Sequence, residues 1–221
     1  RCTMSSRDEG NLWPFTQNGE NGTYNLDEFN QAYWQRFEDF LRLCHQRDII
    51  VQIELWATFD FYREPWQNNP FNPKNNDNYG QERTNLPLSV PTHPVHAENS
   101  FFRTVPYSTQ ANFRVLGYQQ KYIDKLLSIS LEYDHVIYCI DNETSVTAQW
   151  GKFWADYLRQ KALEEKDKCV LVTEMWNEWD LNHAAHRVSF FDTATYDFVE
   201  ISQNNHYTGQ KHWENGLAQF A

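Results

Sequence analysis

The sequence predicts an α/β fold built on a parallel sheet, and three observations carry that expectation. Helix and strand signals alternate from end to end. Strand-like runs begin near residues 135, 169 and 198, so 34 and 29 residues separate them, the length of successive βα units. Each strand is apolar in its first half and polar at its end. Strict alternation implies right-handed crossovers that return each strand parallel to the last.

Taken in order, Arg1-Cys2-Thr3-Met4 reads as the end of a strand, which suggests truncation. A helix is expected after Asn25, which can cap the next turn, with Glu28 completing an Asn-x-x-Glu capping box. Phe29, Tyr33, Phe37, Phe40, Leu41 and Cys44 follow at helical spacing. Residues 49–56 form a β-branched run typical of a buried strand. Phe113, Leu116, Ile123, Leu127 and Leu131 mark a helix, and His135 to Ile140 the strand after it. Trp150, Phe153, Trp154, Tyr157 and Leu158 mark another helix, before a strand at 169–176. A shorter helix near Asn182 to Phe191 precedes a strand at 198–206, and a last helical piece carries Trp213, Leu217 and Phe220.

One segment breaks this rhythm. Between Arg63 and Gln110 no period holds, and seven of the eight prolines lie there with many asparagines and aromatics. A loop this long after the strand at 49–56 is either a cover over the C-terminal rim or an irregular structural insertion.

Composition narrows the function. At 221 residues, 40% hydrophobic and 22% charged, the chain fits one domain over 1–221 and is neither disordered nor membrane-spanning. A net charge of −11 argues against nucleic acid and anionic lipid as partners. Cys2, Cys44, Cys139 and Cys169 lack C-x-x-C spacing, so buried free thiols are expected, with one disulfide as the alternative. His93-Pro-Val-His96 and His183-Ala-Ala-His186 lack the Glu of a zinc protease and read as surface histidines, so no metal is assigned. No serine-hydrolase elbow, dinucleotide turn or Walker loop occurs, and no cofactor is assigned. Asn21-Gly22-Thr23 is a glycosylation sequon; Asn142-Glu143-Thr144 also fits, but a glycan there would block the site suggested next.

The strand ends hold the candidate chemistry: Glu54 and Trp56; Asp141, Asn142 and Glu143; Glu174 and Trp176, followed by Glu178 and Trp179; and Asn205, His206 and Tyr207. A shared polar site at one end of a parallel barrel accounts for this pattern. It resembles the clan A glycoside hydrolases, retaining enzymes built on a (β/α)₈ TIM barrel, in which an Asn-Glu pair ends the fourth strand. The resemblance implies that Glu143 is the general acid/base, that Asn142 touches the sugar 2-hydroxyl, and that His206 or Tyr207 shapes the site from the sixth strand. It also implies a partial TIM barrel covering about strands two to six, ending before the strand-seven nucleophile, with the missing strands supplied by the parent chain or another copy. This fragment is therefore expected to be inactive alone.

Retaining hydrolysis needs two carboxyl groups roughly 5 to 5.5 Å apart. Glu54, Glu174 and Glu178 are the candidates to replace the missing nucleophile; otherwise Glu54 and Glu174 bind hydroxyls, orient Glu143, or pair with Arg or Lys at the rim. Trp56, Trp66, Trp176 and Trp179 are candidates for stacking on sugar rings, whereas Trp34, Trp150 and Trp154 read as packing residues. The expected partner is a poly- or oligosaccharide, and the expected location secreted or periplasmic. Two alternatives stand beside this reading: an open doubly wound sheet for the fold, and a non-catalytic carbohydrate-binding scaffold for the function.

Overall fold

The computed structural model describes residues 2–3, 12–19, 22–93, 99–105 and 112–220. Its central sheet has four strands, β1 (Cys2–Thr3), β4 (Val51–Ala57), β5 (Val136–Asn142) and β6 (Val172–Thr173). All pair in parallel, and spatial order follows chain order. In a parallel sheet of this order, the right-handed rule for crossovers puts the connecting helices on one side. Helix α4 (Phe113–Ser130) leads into β5, and α5 (Ala148–Lys166) leads from β5 to β6. No closed barrel forms among the described residues.

Tryptophan organises the core. Trp56, on β4 opposite Asp141, is fully buried; its ring lies 5.4 Å from Tyr122 of α4 and 5.4 Å from Trp154 of α5. Phe61, Phe71 and Phe101 also meet it, edge-on. Those phenylalanines come from the segment after β4, which is not a structureless loop. It contains α2 (Arg63–Asn68), α3 (Gln81–Thr84) and a 3₁₀ turn at Ser100–Arg103. Its asparagines explain how it folds without a repeating pattern. Asn69 bonds the Asp60 carbonyl (3.1 Å), Asn72 the Trp66 carbonyl (2.9 Å) and Asn99 the Phe61 carbonyl (2.9 Å). Side-chain amides thus satisfy backbone groups that helix or sheet would otherwise pair.

Several expectations are corrected. The helix expected after Asn25 begins at Gln31 instead, as α1 (Gln31–His45), capped by Asn30, whose side chain accepts from Ala32 N at 3.1 Å. Residues before it form an antiparallel hairpin, β2 (Phe15–Gln17) with β3 (Tyr24–Phe29). Asn25 makes a local turn, accepting from Asp27 N at 3.0 Å, so a short-range side-chain bond imitated a helix cap in the sequence. Ile49 and Ile50 lie outside β4, with Ile50 70% exposed.

The strand expected at 169–176 is reduced to two residues, and no strand forms at 198–206. Asp197 gives the reason. Its backbone N–H donates to the Val172 carbonyl (2.8 Å), but the Val172 N–H donates to its side-chain carboxylate (2.8 Å). A side chain takes the acceptor role a ladder carbonyl would fill, and regular pairing stops there.

Cys44 and Cys139 are buried free thiols, while Cys169 is free but exposed. The Cys2 thiol, Asn21 and His96 lie outside the described residues, as does Tyr107, one of the aromatics between Arg63 and Gln110.

Candidate active site

β5 ends where the polar residues gather. Asp141, on its last turn of pleat, is fully buried and accepts from both the backbone N–H (3.0 Å) and the hydroxyl (2.7 Å) of Thr58. Burial pushes its carboxyl up to about 7, with the Thr58 bonds opposing the rise. Asn142 follows, opposite Ala57 of β4 and only 5% exposed. Glu143 then turns out of the strand at φ 58°, half-buried. A left-handed backbone costs a non-glycine residue about 1 to 3 kcal/mol and persists only where its surroundings enforce it.

Those surroundings are visible in the backbone bonds on either side. The Thr144 N–H donates to the Met175 carbonyl (2.7 Å), and Asn177 N–H donates back to the Thr144 carbonyl (3.0 Å). Thr144 and Trp176 form an isolated parallel bridge. Glu143 is therefore held between the β4 and β6 ends at the C-terminal edge of the sheet, where parallel α/β folds assemble their sites.

The 203–207 strip joins this edge through two carbonyls. The Gln203 side-chain amide donates to the Asn177 carbonyl (3.5 Å), and the Asn205 and His206 N–H groups both donate to the Trp179 carbonyl (3.0 Å each). Asn205 also donates to Gln203 Oε1 at 3.0 Å. Asn205 and His206 are exposed, Tyr207 is half-buried, and the His206 and Tyr207 rings meet at 4.4 Å. Asn142, Glu143, Trp176, Asn205, His206 and Tyr207 thus share one edge of the fold. Trp176 is mostly buried, whereas Trp179 is 61% exposed.

Four sequence candidates do not face solvent there. Trp56 belongs to the aromatic core and offers no stacking surface. Trp66 is likewise buried, its indole N–H donating to the Pro87 carbonyl at 2.8 Å. Glu54, opposite Cys139 in the middle of β4, is 4% exposed and acts on Asp141 as a buried negative charge, helping to raise its carboxyl. Glu174 is 1% exposed and turned toward α5, where its Oε2 accepts from the Tyr196 hydroxyl and its Oε1 has no partner. It fits because Gly151 has no side chain; a Cβ there would collide with the Glu174 carboxylate and the Tyr196 hydroxyl. Burial, above all, pushes its carboxyl up to about 8. Its bonded neighbour is a tyrosine rather than the rim Arg or Lys considered from sequence.

Sequence reasoning missed Thr58, which directly follows β4, and Gly151 and Tyr196, which lie on α5 and well beyond β6. Asp141 was named from the sequence without a role, although an acid inside an apolar strand was the available signal. The histidine pairs also read differently. His93 packs on the Tyr62 ring at 4.9 Å, and His183 accepts from Ala185 N at 3.2 Å. His186, rather than lying at the surface, is buried and donates to the Glu178 carbonyl at 2.7 Å. No group of three or more His, Cys, Asp or Glu among the described residues is placed to hold a metal ion. Among the same residues, no helix is long and apolar enough to cross a membrane.

No family model, curated protein or solved structure matches the chain.

Proposed function

We propose that this chain is part of a glycoside hydrolase catalytic domain organised as a partial (β/α)₈ barrel, with Glu143 as general acid/base. The observation that carries the reading is Glu143 itself: a half-buried carboxylate in a left-handed backbone, leaving the C-terminal end of a central parallel strand. The sequential order β1-β4-β5-β6 supports the barrel over a doubly wound sheet, because a doubly wound sheet reverses its order at a switch point.

In this reading Asn142 and His206 bind sugar hydroxyls beside the proton donor. Trp179, 61% exposed, replaces Trp56 as the stacking surface, because indole presents a flat face to ring C–H groups. Retention takes a second, ionised carboxylate roughly 5 to 5.5 Å from the first. Glu174 is turned under α5 against Gly151 and bonded to Tyr196, so it does not serve. The reading assigns these residues the acid/base half of the reaction, and the nucleophile to another part of the parent chain or another copy. A polysaccharide substrate would take the enzyme out of the cytoplasm, by secretion or into the periplasm.

The test is hydrolysis of polysaccharides and aryl glycosides by the gene product carrying this segment. Glu143→Gln should lower turnover by about 10²- to 10⁴-fold, the range for losing a positioned proton donor. Turnover unchanged by that substitution would overturn the assignment. Glycan binding with no turnover in the wild type would favour the non-catalytic scaffold.

A further inference from the structure

On α5, Gln149, Phe153, Asp156, Tyr157 and Gln160 recur at spacings of three and four, which puts them along one face. The Phe153 and Tyr157 rings lie 6.2 Å apart, centroid to centroid, and within 23° of parallel. Both are half-buried and line a surface cavity of about 340 Å³ together with Gln149, Lys152, Asp156 and Gln160. The Tyr157 ring is fixed from behind. Its hydroxyl donates to Asp124 Oδ1 on α4 (2.6 Å), and Lys161 holds that same oxygen at 3.2 Å.

We propose that this face of α5 is a second carbohydrate-binding site, separate from Glu143. Two near-parallel ring faces suit the C–H surface of a sugar, and two amides, a carboxylate and an ammonium at the margin suit its hydroxyls. The volume falls within the range of about 300 to 1,000 Å³ usual for small-molecule sites. Ring positions set by packing and hydrogen bonds cost little ordering on binding. Since the helix rises about 1.5 Å per residue, Phe153 and Gln160 stand roughly 8 and 18 Å along it from Ala148. The choice of a sugar as ligand rests on the glycoside hydrolase reading; the cavity and its rings do not.

The test is affinity electrophoresis in native gels containing soluble β-glucan, xylan or galactomannan, run on Glu143→Gln protein so that no glycan is cut. Retardation in at least one gel should persist in that background. It should weaken about tenfold or more in Phe153→Leu, which keeps an apolar side chain but loses the ring face. Gln149→Ala/Asp156→Ala, at exposed positions that cannot unfold the core, should weaken it as well. Retardation that neither variant changes would overturn the proposal, as would no retardation in any gel. Both of those results leave the assignment of Glu143 to the hydrolysis assay. Retardation that depends on Phe153, with no hydrolysis by the gene product, would retain this site and remove the other.

Discussion

The β4–β5 pair and the stretch from β6 to the helix Gln210–Leu217 are built in opposite ways. β4 and β5 have seven residues each, paired backbone to backbone over an aromatic core. From β6 onward the ladder lasts two residues, and side chains make many of the links beside isolated backbone bonds: Asp197 to Val172, Thr173 to the Phe198 carbonyl, Gln203 to the Asn177 carbonyl. Glu143 stands on the seam between the two. One wall of the candidate site is therefore fixed by packing, which is hard to perturb without unfolding, and the other by single hydrogen bonds worth about 1 kcal/mol each.

The largest expected effect sharpens the first half of this contrast. Trp56→Ala removes the ring at the centre of the core and should cost about 3 to 5 kcal/mol, the range for large aromatic deletions. Denaturant unfolding measures it, and a loss under 1 kcal/mol would mean that the aromatic cluster does not hold β4 and β5 together.

The next effect is a pH dependence. The Glu174 carboxyl is raised to about 8 in the folded protein by burial, so the folded state holds its proton more tightly than the unfolded chain does. Its contribution to stability is complete below the ordinary carboxylate range and is lost as pH rises through about 8. Asp141 acts in the same direction up to about 7. Urea midpoints should fall between pH 5 and pH 9, and Glu174→Gln should flatten that fall. A variant with an unchanged slope would mean that Glu174 is ionised in the folded protein at neutral pH.

The smallest effect probes the other half. Asp197→Asn weakens the bond to Val172 N–H and the half-exposed ion pair with Arg159 (2.7 Å). A cost of about 1 kcal/mol is expected, in line with one hydrogen bond. Hydrogen exchange should quicken at Val172 and stay unchanged at Ile53 in β4. Equal quickening at both would erase the difference between the two regions.

The same contrast explains what the sequence disclosed. β4, β5, α4 and α5 were readable because burial imposes a period of 2 or 3.6 on the residues it selects. The strand at 198–206 was misread because its apolar run, Phe198 to Ile201, carries the pattern of a strand, while Asp197 and Glu200 divert the backbone bonds to side chains. The hairpin at 15–29 was hidden by the Asn25 and Glu28 spacing of a helix cap. At the site, Asn142 and Glu143 were legible as the end of a strand, whereas the 205–207 strip was expected to end a strand that does not form. Which side chains among them point outward was not, because that depends on the segment packed above. Trp56 looked like a rim residue until Phe61, Phe71 and Phe101 closed over it.

The account turns on Glu143 as a proton donor, and leaving-group dependence tests that most directly. In the gene product, Glu143→Ala should keep kcat/KM for a 2,4-dinitrophenyl glycoside, which reports the glycosylation step and whose leaving group needs no proton, within about tenfold of wild type, while kcat falls because deglycosylation loses its base. Its cleavage of an unactivated glycoside should fall by about 10³-fold, as expected when general acid catalysis is lost. Equal losses on the two substrates, or no loss on either, would contradict it.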